Sequence, residues 1–331
     1  MHSQNQRVEF IRQALQNDDF TCEAITSDAS FRRYYRVQMN TASWVVMESP
    51  VDKLDNTPFI ELNKVFAAQG LKVPNIIAED KKQGFVLLQD LGSEHLADRV
   101  ELPSKLADYR ALIDLIPLIA KTPNSKWMKP YDAEFIEMEL DIFYQWLVTQ
   151  WLGLNLTEYQ QVQWQNVKIR LVDAMLAQPQ VTMHRDFHSR NVIRKQSQWY
   201  LIDYQDAVQG PVTYDAVSLL RDCYTRLAKS EFDALLEYSF DSLKSAGLLA
   251  NIDFCAYQRL FDFTGLQRHL KAAGIFTRLL QRDGKGGYVN NILPTLTYIV
   301  EVADKYDEFQ WLASWLKNDI MPQVKAKLSA K

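Results

Sequence analysis

The sequence predicts an α+β protein of two lobes, a small antiparallel β lobe with one inserted helix over residues 1–91 and a larger, mainly helical lobe over residues 92–331. Three observations predict this. The first ninety or so residues hold short runs rich in β-branched and aromatic residues. The rest of the chain repeats apolar residues at three- and four-residue spacing. A length of 331 residues suits about two domains at roughly 150 residues each.

The elements follow in chain order. Val8, Ile11 and Leu15 share one helical face, and that helix is expected to end near Asn17-Asp18. Strand-like runs come next at 20–26, 31–38, 43–48 and 84–89, bounded by Asp, Asn, Gly or Pro, with a helix expected near 57–69. Three or four strands and one helix then end at Asp90-Leu91-Gly92. Helical periodicity runs through 103–121, 131–151, 157–177, 214–227, 231–246, 253–282 and 290–304. One β-like island interrupts it, at 181–184, 191–195 and 199–203, the last two reading as a hairpin. Asp283 to Gly287 lacks the GxxxxGK[ST] frame of a phosphate loop and reads as a turn between helices.

Composition removes several function classes. Lys plus Arg number 37 against 41 Asp plus Glu, a net charge of −4, which offers no counterion-release drive toward nucleic acid. Cys22, Cys223 and Cys255 are odd in number and lack CxxC spacing, which argues against a disulfide framework or structural zinc and fits a reducing cytoplasm. The opening MHSQNQRVEF has no signal-peptide core, and Asp114 and Pro117 break the greasiest stretch, so no membrane role is expected.

The chemistry concentrates in His184-Arg185-Asp186-Phe187-His188-Ser189-Arg190-Asn191, an HRDxxxxN pattern followed twelve residues later by Asp203. That is the spacing of a phosphoryl-transfer site. Such chemistry needs a carboxylate to orient and accept the proton of the attacking hydroxyl, here Asp186. It also needs hard oxygen ligands for Mg²⁺ on the nucleotide phosphates, here Asn191 and Asp203. The spacing has a geometric reason, because a hairpin beginning at Asn191 and ending at Asp203 brings the two together at its open end.

With His188 the pattern becomes HxDxHxxN, which resembles the aminoglycoside phosphotransferase and choline kinase group. The resemblance implies a protein-kinase-like two-lobed fold. It also implies supporting roles for His184, for His188 and for Asp215, near the start of the next helix, where a simple helix cap is the other reading. Further segments resemble the N-acetylmuramate/N-acetylglucosamine anomeric kinases of bacterial cell-wall recycling: residues 27–34 (SDASFRRY), 44–50 (WVVMESP), 84–92 (GFVLLQDLG), and 265–271 (GLQRHLK) with 274–276 (GIF). They span about residues 10 to 320, and the last block is the one that distinguishes this family from the wider fold.

Nucleotide binding departs from the usual plan. The turn at 27–30 has no glycine, and Met47 or Glu48 stands where a third-strand lysine is expected. Arg32, Arg33 or Arg36 is the candidate replacement, since guanidinium suits bidentate phosphate contact and alternate strand residues share a face. The backbone N–H groups of Ser30 and Phe31 are candidates for an anion-binding nest. The connection through Gln89 and Leu91 is where the resemblance places adenine. For the acceptor, Glu137 on the acidic, aromatic segment 131–151 and the basic residues Arg268, His269 and Lys271 are the candidates; either set also suits ordinary helix packing or a solvated face.

The reading is therefore an ATP- and Mg²⁺-dependent kinase acting on the anomeric hydroxyl of an N-acetylated amino sugar. Two alternatives stand beside it. One is a phosphotransferase for an aminoglycoside, choline or another alcohol. The other is a nucleotide-binding pseudokinase, which the absent lysine favours and the intact Asp186, Asn191 and Asp203 oppose.

Overall fold

The structure is a computed structural model and describes residues 2–25 and 31–329. Its Cα framework divides into two compact units, residues 1–98 with 190–206, and residues 99–189 with 207–331. The expected lobe boundary ran by chain order at residue 91. The compact units instead group the segment 190–206 with the N-terminal residues.

In the first unit, helix α1 (His2–Leu15) precedes strands β1 (Thr21–Ile25), β2 (Arg33–Met39) and β3 (Ala42–Glu48). Helix α2 (Thr57–Ala68) follows, then β4 (Ile76–Asp80) and β5 (Phe85–Gln89). The five strands form one antiparallel sheet in the order β1-β2-β3-β5-β4. The expectation of three or four strands missed β4, whose Ile-Ile-Ala-Glu-Asp run has weak strand character. Its strand conformation comes from pairing with β5, across a register shift between Ile76 and Ala78. The apolar face of α1 sets Phe10 and Ile11 on the sheet residues Val37, Val46, Phe85 and Leu87.

The hairpin of β7 (Val192–Lys195) and β8 (Gln198–Leu201) belongs to this unit. Its turn is the two residues Gln196 and Ser197, both at positive φ (49° and 64°), the conformation that matches the twist of a tight hairpin. The predicted hairpin is present, with a turn one residue shorter than its sequence spacing suggested.

The second unit is helical: α3 (Lys105–Ile113), α4 (Ile116–Ala120), α5 (Ala133–Ile142), α6 (Glu158–Leu176), α7 (Tyr214–Leu220), α8 (Lys229–Ser245), α9 (Phe254–Asp283), α10 (Ile292–Ala303), α11 (Gln310–Trp315) and α12 (Met321–Ser329). The expected helix at 103–121 is two, because Pro117 has no N–H to continue the first and sits in the opening turn of the second. The expected helix at 131–151 passes at Phe143 into a wider π-helical stretch to Trp151. The expected helix at 214–227 stops at Leu220, since Arg221 leaves helical geometry (φ −121°, ψ 51°). Helices α11 and α12 were not expected. Strand β6 (Gln180–Met183) pairs antiparallel with β9 (Val208–Pro211), a strand hidden from sequence reading by its Gly-Pro ending.

The 30-residue α9 runs through the core of this unit. At Gly274 a Cβ would lie 2.6–2.7 Å from the backbone of Phe143 and Ile142, so only glycine lets α9 press against the end of α5. Asp253 caps its start by accepting from Ala256 N at 2.8 Å, and Gly284 ends it in the left-handed conformation that a side chain disfavours.

Candidate active site

In the second unit, the loop after β6 carries Asp186. Asp215, in the first turn of α7, accepts the backbone N–H groups of His184 at 2.8 Å and Arg185 at 3.0 Å. This holds Arg185 at φ +75°, a left-handed conformation that costs a non-glycine residue roughly 1–2 kcal/mol. Burial pushes the Asp215 carboxyl up to about 6, while His184 and the two N–H donors pull it the other way. The far end of the loop is held in the same manner: Asp222, 1% exposed, accepts the N–H of Ser189 at 2.8 Å through one oxygen and that of Tyr224 at 2.9 Å through the other.

Between these two clamps stands Asp186, half-buried. Burial alone would raise its pKa. The cations Lys271 and Arg185, then His188 and Arg268, outweigh burial and hold the carboxyl well below the usual carboxylate range. Such a group stays ionised and accepts a hydrogen bond from a hydroxyl; it is a poor acid.

A buried ionic network surrounds it. Glu139 of α5 receives Arg185 Nη2 at 2.5 Å, Gln267 Nε2 at 3.0 Å and the Tyr131 hydroxyl, and lies 3.7 Å from Lys271 Nζ. Lys271 in turn donates to the Tyr214 hydroxyl at 2.8 Å. Burial opposes ionisation of Glu139, but Lys271 and Arg185 keep it charged. Every charge in the cluster has a partner, the condition under which a buried ionic group is tolerated. Glu137, the acidic candidate from sequence, is 42% exposed at its side chain and lies 4.0 Å from Lys168. Two residues further on, Glu139 is the carboxylate turned inward.

Arg268, His269 and Lys271 of α9 are buried, at 4%, 0% and 5% exposure, so the solvated-face reading of this cluster is overturned. Their environments differ. His269 Nε2 is 2.8 Å from the Arg221 carbonyl, and its ring stacks on Tyr298 at 5.0 Å. Burial, with Arg268 beside it, pushes its pKa down to about 3, so this histidine is neutral packing. Lys271 is engaged with Glu139 and Tyr214. Arg268 touches Cys223 Sγ at 3.8 Å, and its buried Nε has no hydrogen-bond partner among the described residues. A buried guanidinium with an unused donor, acting on Asp186, is suited to an anion.

In the first unit, the N–H of Ile202 donates to the Asn191 carbonyl at 3.1 Å, extending the β7–β8 hairpin by one pair so that Asn191 and Asp203 flank its open end. Asp203 has φ +63°, and its Oδ1 accepts Gln205 Nε2 at 2.6 Å. One carboxylate and one amide oxygen fit Mg²⁺, which takes few protein ligands and keeps phosphates and waters for the rest.

The same unit separates the three arginine candidates. Arg36 makes a two-pronged pair with Asp90 at 2.8 and 3.3 Å and also reaches the Gly92 carbonyl, so it braces the segment after β5. Arg33 is exposed and opposes Glu48 across the β2–β3 ladder. Arg32 is 8% exposed. Burial, then the Asp203 carboxylate, push the Tyr34 phenol up to about 12 while Arg32 pulls it down, so Tyr34 feels both groups. Tyr34 stands opposite Met47, the third-strand position that lacks a lysine, and Met47 is fully buried. Glu48, its neighbour, pairs with Arg7 at 2.6 Å.

Of the remaining candidates, Ser30 lies outside the described residues. Phe31 exposes its ring beneath Lys53 Nζ at 4.7 Å, which leaves its backbone as the part suited to an anion. Gln89 pairs with Asn75 through its backbone N–H at 2.8 Å, and Leu91 is buried. Sequence reasoning missed Asp222, Gln267, Tyr131 and Tyr214. One signal was available, since Gln267 and Lys271 are four apart on a helix and so reach the same carboxylate.

The sequence pattern of the phosphotransferase enzyme family matches residues 21–248. An N-acetylmuramate/N-acetylglucosamine kinase of Pseudomonas putida is 35% identical over 285 residues, covering 86% of this chain and 84% of that protein. One of Neisseria meningitidis serogroup B is 37% identical over 298 residues, 88% of each chain. A solved choline kinase of Streptococcus pneumoniae shares the fold at a TM-score of 0.64 and 14% identity, over 91% of this chain and 100% of its own. An ADP-bound aminoglycoside phosphotransferase does so at 0.60 and 12% identity, over 89% and 97%. The two-lobed protein-kinase-like fold is thus established, and the chain belongs to the phosphotransferase enzyme family and, within it, to the family of the N-acetylmuramate/N-acetylglucosamine kinases.

Proposed function

We propose that this protein transfers the γ-phosphoryl group of ATP to the anomeric hydroxyl of N-acetylmuramate or N-acetylglucosamine, in the recycling of cell-wall sugars. The observation that carries the chemistry is Asp186, held ionised by buried cations at the centre of a loop clamped at both ends. The names of the relatives carry the acceptor.

In this reading the anomeric oxygen bonds to the γ-phosphorus as the bond from that phosphorus to its bridging oxygen breaks, and ADP departs with the electron pair. The hydroxyl proton passes to Asp186 and on to solvent. Because Asp186 is a weak base and an anomeric hydroxyl is more acidic than an ordinary alcohol, its main work is to orient the hydroxyl, with the proton leaving late. Arg268 offers its unused donor to the phosphoryl group, and Lys271, fixed by Glu139, steadies the charge of Asp186. Asn191 and Asp203 would hold Mg²⁺, which when bound neutralises phosphate charge. Arg32 takes the place of the third-strand lysine. The backbone at Phe31 and the Gln89–Leu91 segment complete the nucleotide contacts. Residues 1–91 serve the nucleotide, and residues 92–331 serve catalysis and the acceptor. A nucleotide donor and three free cysteines support a cytoplasmic setting.

Phosphorus NMR of the product tests the reading. A phosphate coupled to the anomeric proton of N-acetylglucosamine supports it, and phosphate on any other sugar oxygen contradicts it.

A further inference from the structure

A cavity of about 220 Å³ lies in the second unit, lined by Lys105, Tyr109, Tyr224, Thr225 and Arg226 among others. None of these residues belongs to the candidate set above. The cavity is joined to the catalytic loop by two independent contacts. Asp222 accepts the backbone N–H of Ser189, at the end of that loop, and of Tyr224, in the cavity wall. The Tyr224 ring also packs edge-on against the imidazole of His188 at 5.3 Å.

We propose that this cavity receives the acceptor, a single N-acetylated pyranose, with its anomeric end toward the catalytic loop; the inference rests on the proposed function and deepens it. Its size suits one sugar ring with an acetamido group. Its chemistry is that of a carbohydrate site. Tyr224 supplies an aromatic face kept rigid by Phe276 at 6.0 Å and Tyr288 at 6.5 Å as well as by His188. The Tyr109 hydroxyl and Thr225 Oγ1, 3.3 Å apart, supply a polar pair for ring hydroxyls. Arg226 and Lys105 supply donors whose positions are fixed by Glu301 at 2.6 Å and Glu231 at 2.7 Å. Preorganised donors and an aromatic platform are what a weakly binding polar ligand requires, because little further ordering is needed on binding. Lys105 and Arg226, in a wall that also holds Glu101, offer cationic partners for the carboxylate that distinguishes N-acetylmuramate from N-acetylglucosamine.

The test is steady-state kinetics of the full-length enzyme with N-acetylglucosamine and with N-acetylmuramate, for Thr225→Val and Arg226→Gln. Arg226 is half-exposed, and its replacement removes its pair with Glu301 and its packing over the Tyr298 ring. The expected result is a rise of about tenfold in the acceptor KM for each variant, with kcat and the KM for ATP within about twofold of wild type, and a larger rise for N-acetylmuramate than for N-acetylglucosamine in Arg226→Gln. Unchanged acceptor KM in both variants, with wild-type turnover intact, overturns the cavity as the acceptor site. Failure of the wild-type enzyme to phosphorylate either sugar overturns the proposed function instead, and the two failures are thereby told apart.

Discussion

Asp215 holds Arg185 in a left-handed backbone conformation, accepting its N–H at 3.0 Å while Arg185 stands at φ +75°. The residue after Arg185 is Asp186, so the direction of the Asp186 carboxylate depends on a second carboxylate that only braces the backbone before it. Asp215→Asn leaves one of the two N–H donors facing an amide NH₂. A buried donor losing a charged acceptor costs about 2–3 kcal/mol. Denaturant unfolding should show that loss, and kcat should fall at least about tenfold with ATP affinity retained. A variant of wild-type stability and rate would show that the loop holds its own shape.

Arg32, just before β2, and Arg36, within it, do not share a role. Arg36 is spent on Asp90, whereas Arg32 acts on the same tyrosine as Asp203. Arg32→Met should weaken Mg-ATP binding by about 10- to 100-fold in calorimetry, the range of a charge-assisted phosphate contact. Arg36→Met should change that affinity less and lower stability more. The reverse order would move the phosphate contact to Arg36.

His269 gives the protein an acid-side weakness. Burial first, and Arg268 second, hold its pKa at about 3 in the folded chain, against about 6.5 when unfolded. Between those values the unfolded chain binds a proton that the folded chain refuses. The contribution is therefore intact above about pH 6.5 and is lost as pH falls toward 3, by up to about 1.4 kcal/mol per pH unit. Wild type should lose about 2 kcal/mol more than His269→Gln between pH 7 and pH 5 in unfolding titrations. Equal losses would show that His269 is protonated in the folded protein.

Gly274 carries a packing prediction. A methyl group there meets backbone atoms, which cannot swing aside as a side chain would. Gly274→Ala should destabilise the protein by about 1–3 kcal/mol and displace α9. Because α9 carries Arg268 and Lys271, kcat should fall with it; a stable, fully active variant would mean that the two helices separate without consequence.

Much of this was legible in the sequence, for physical reasons. The HRDxxxxN pattern and the hairpin after it are local in the chain, so spacing alone proposes Asp186, Asn191 and Asp203 as one set, and the hairpin expected between the last two is present. Strands β2, β3 and β5 announce themselves through β-branched and aromatic runs. Strands β4 and β9 do not, because pairing imposes their conformation: β4 on the neighbouring β5 across a short turn, and β9 on β6, which lies before the catalytic-loop segment and the β7–β8 hairpin. The direction of a helical side chain was also hidden. Glu137 and Glu139 are equivalent in composition, and only the packing of α5 against α9 turns Glu139 inward to Arg185 and Lys271. Likewise Arg268, His269 and Lys271 read alike as basic residues, yet burial makes one a neutral spacer, one an ion-pair member and one a cation with a donor to spare.

The central claim is that Asp186 serves transfer of phosphate to an amino sugar. ADP release by the purified protein with Mg-ATP, offered N-acetylmuramate, N-acetylglucosamine, choline or kanamycin, tests it most directly, with Asp186→Asn as the blank. The account predicts turnover confined to the two amino sugars, lowered at least about 10³-fold in Asp186→Asn while nucleotide still binds. Turnover with choline or kanamycin alone, or nucleotide binding without turnover of any acceptor, would contradict it.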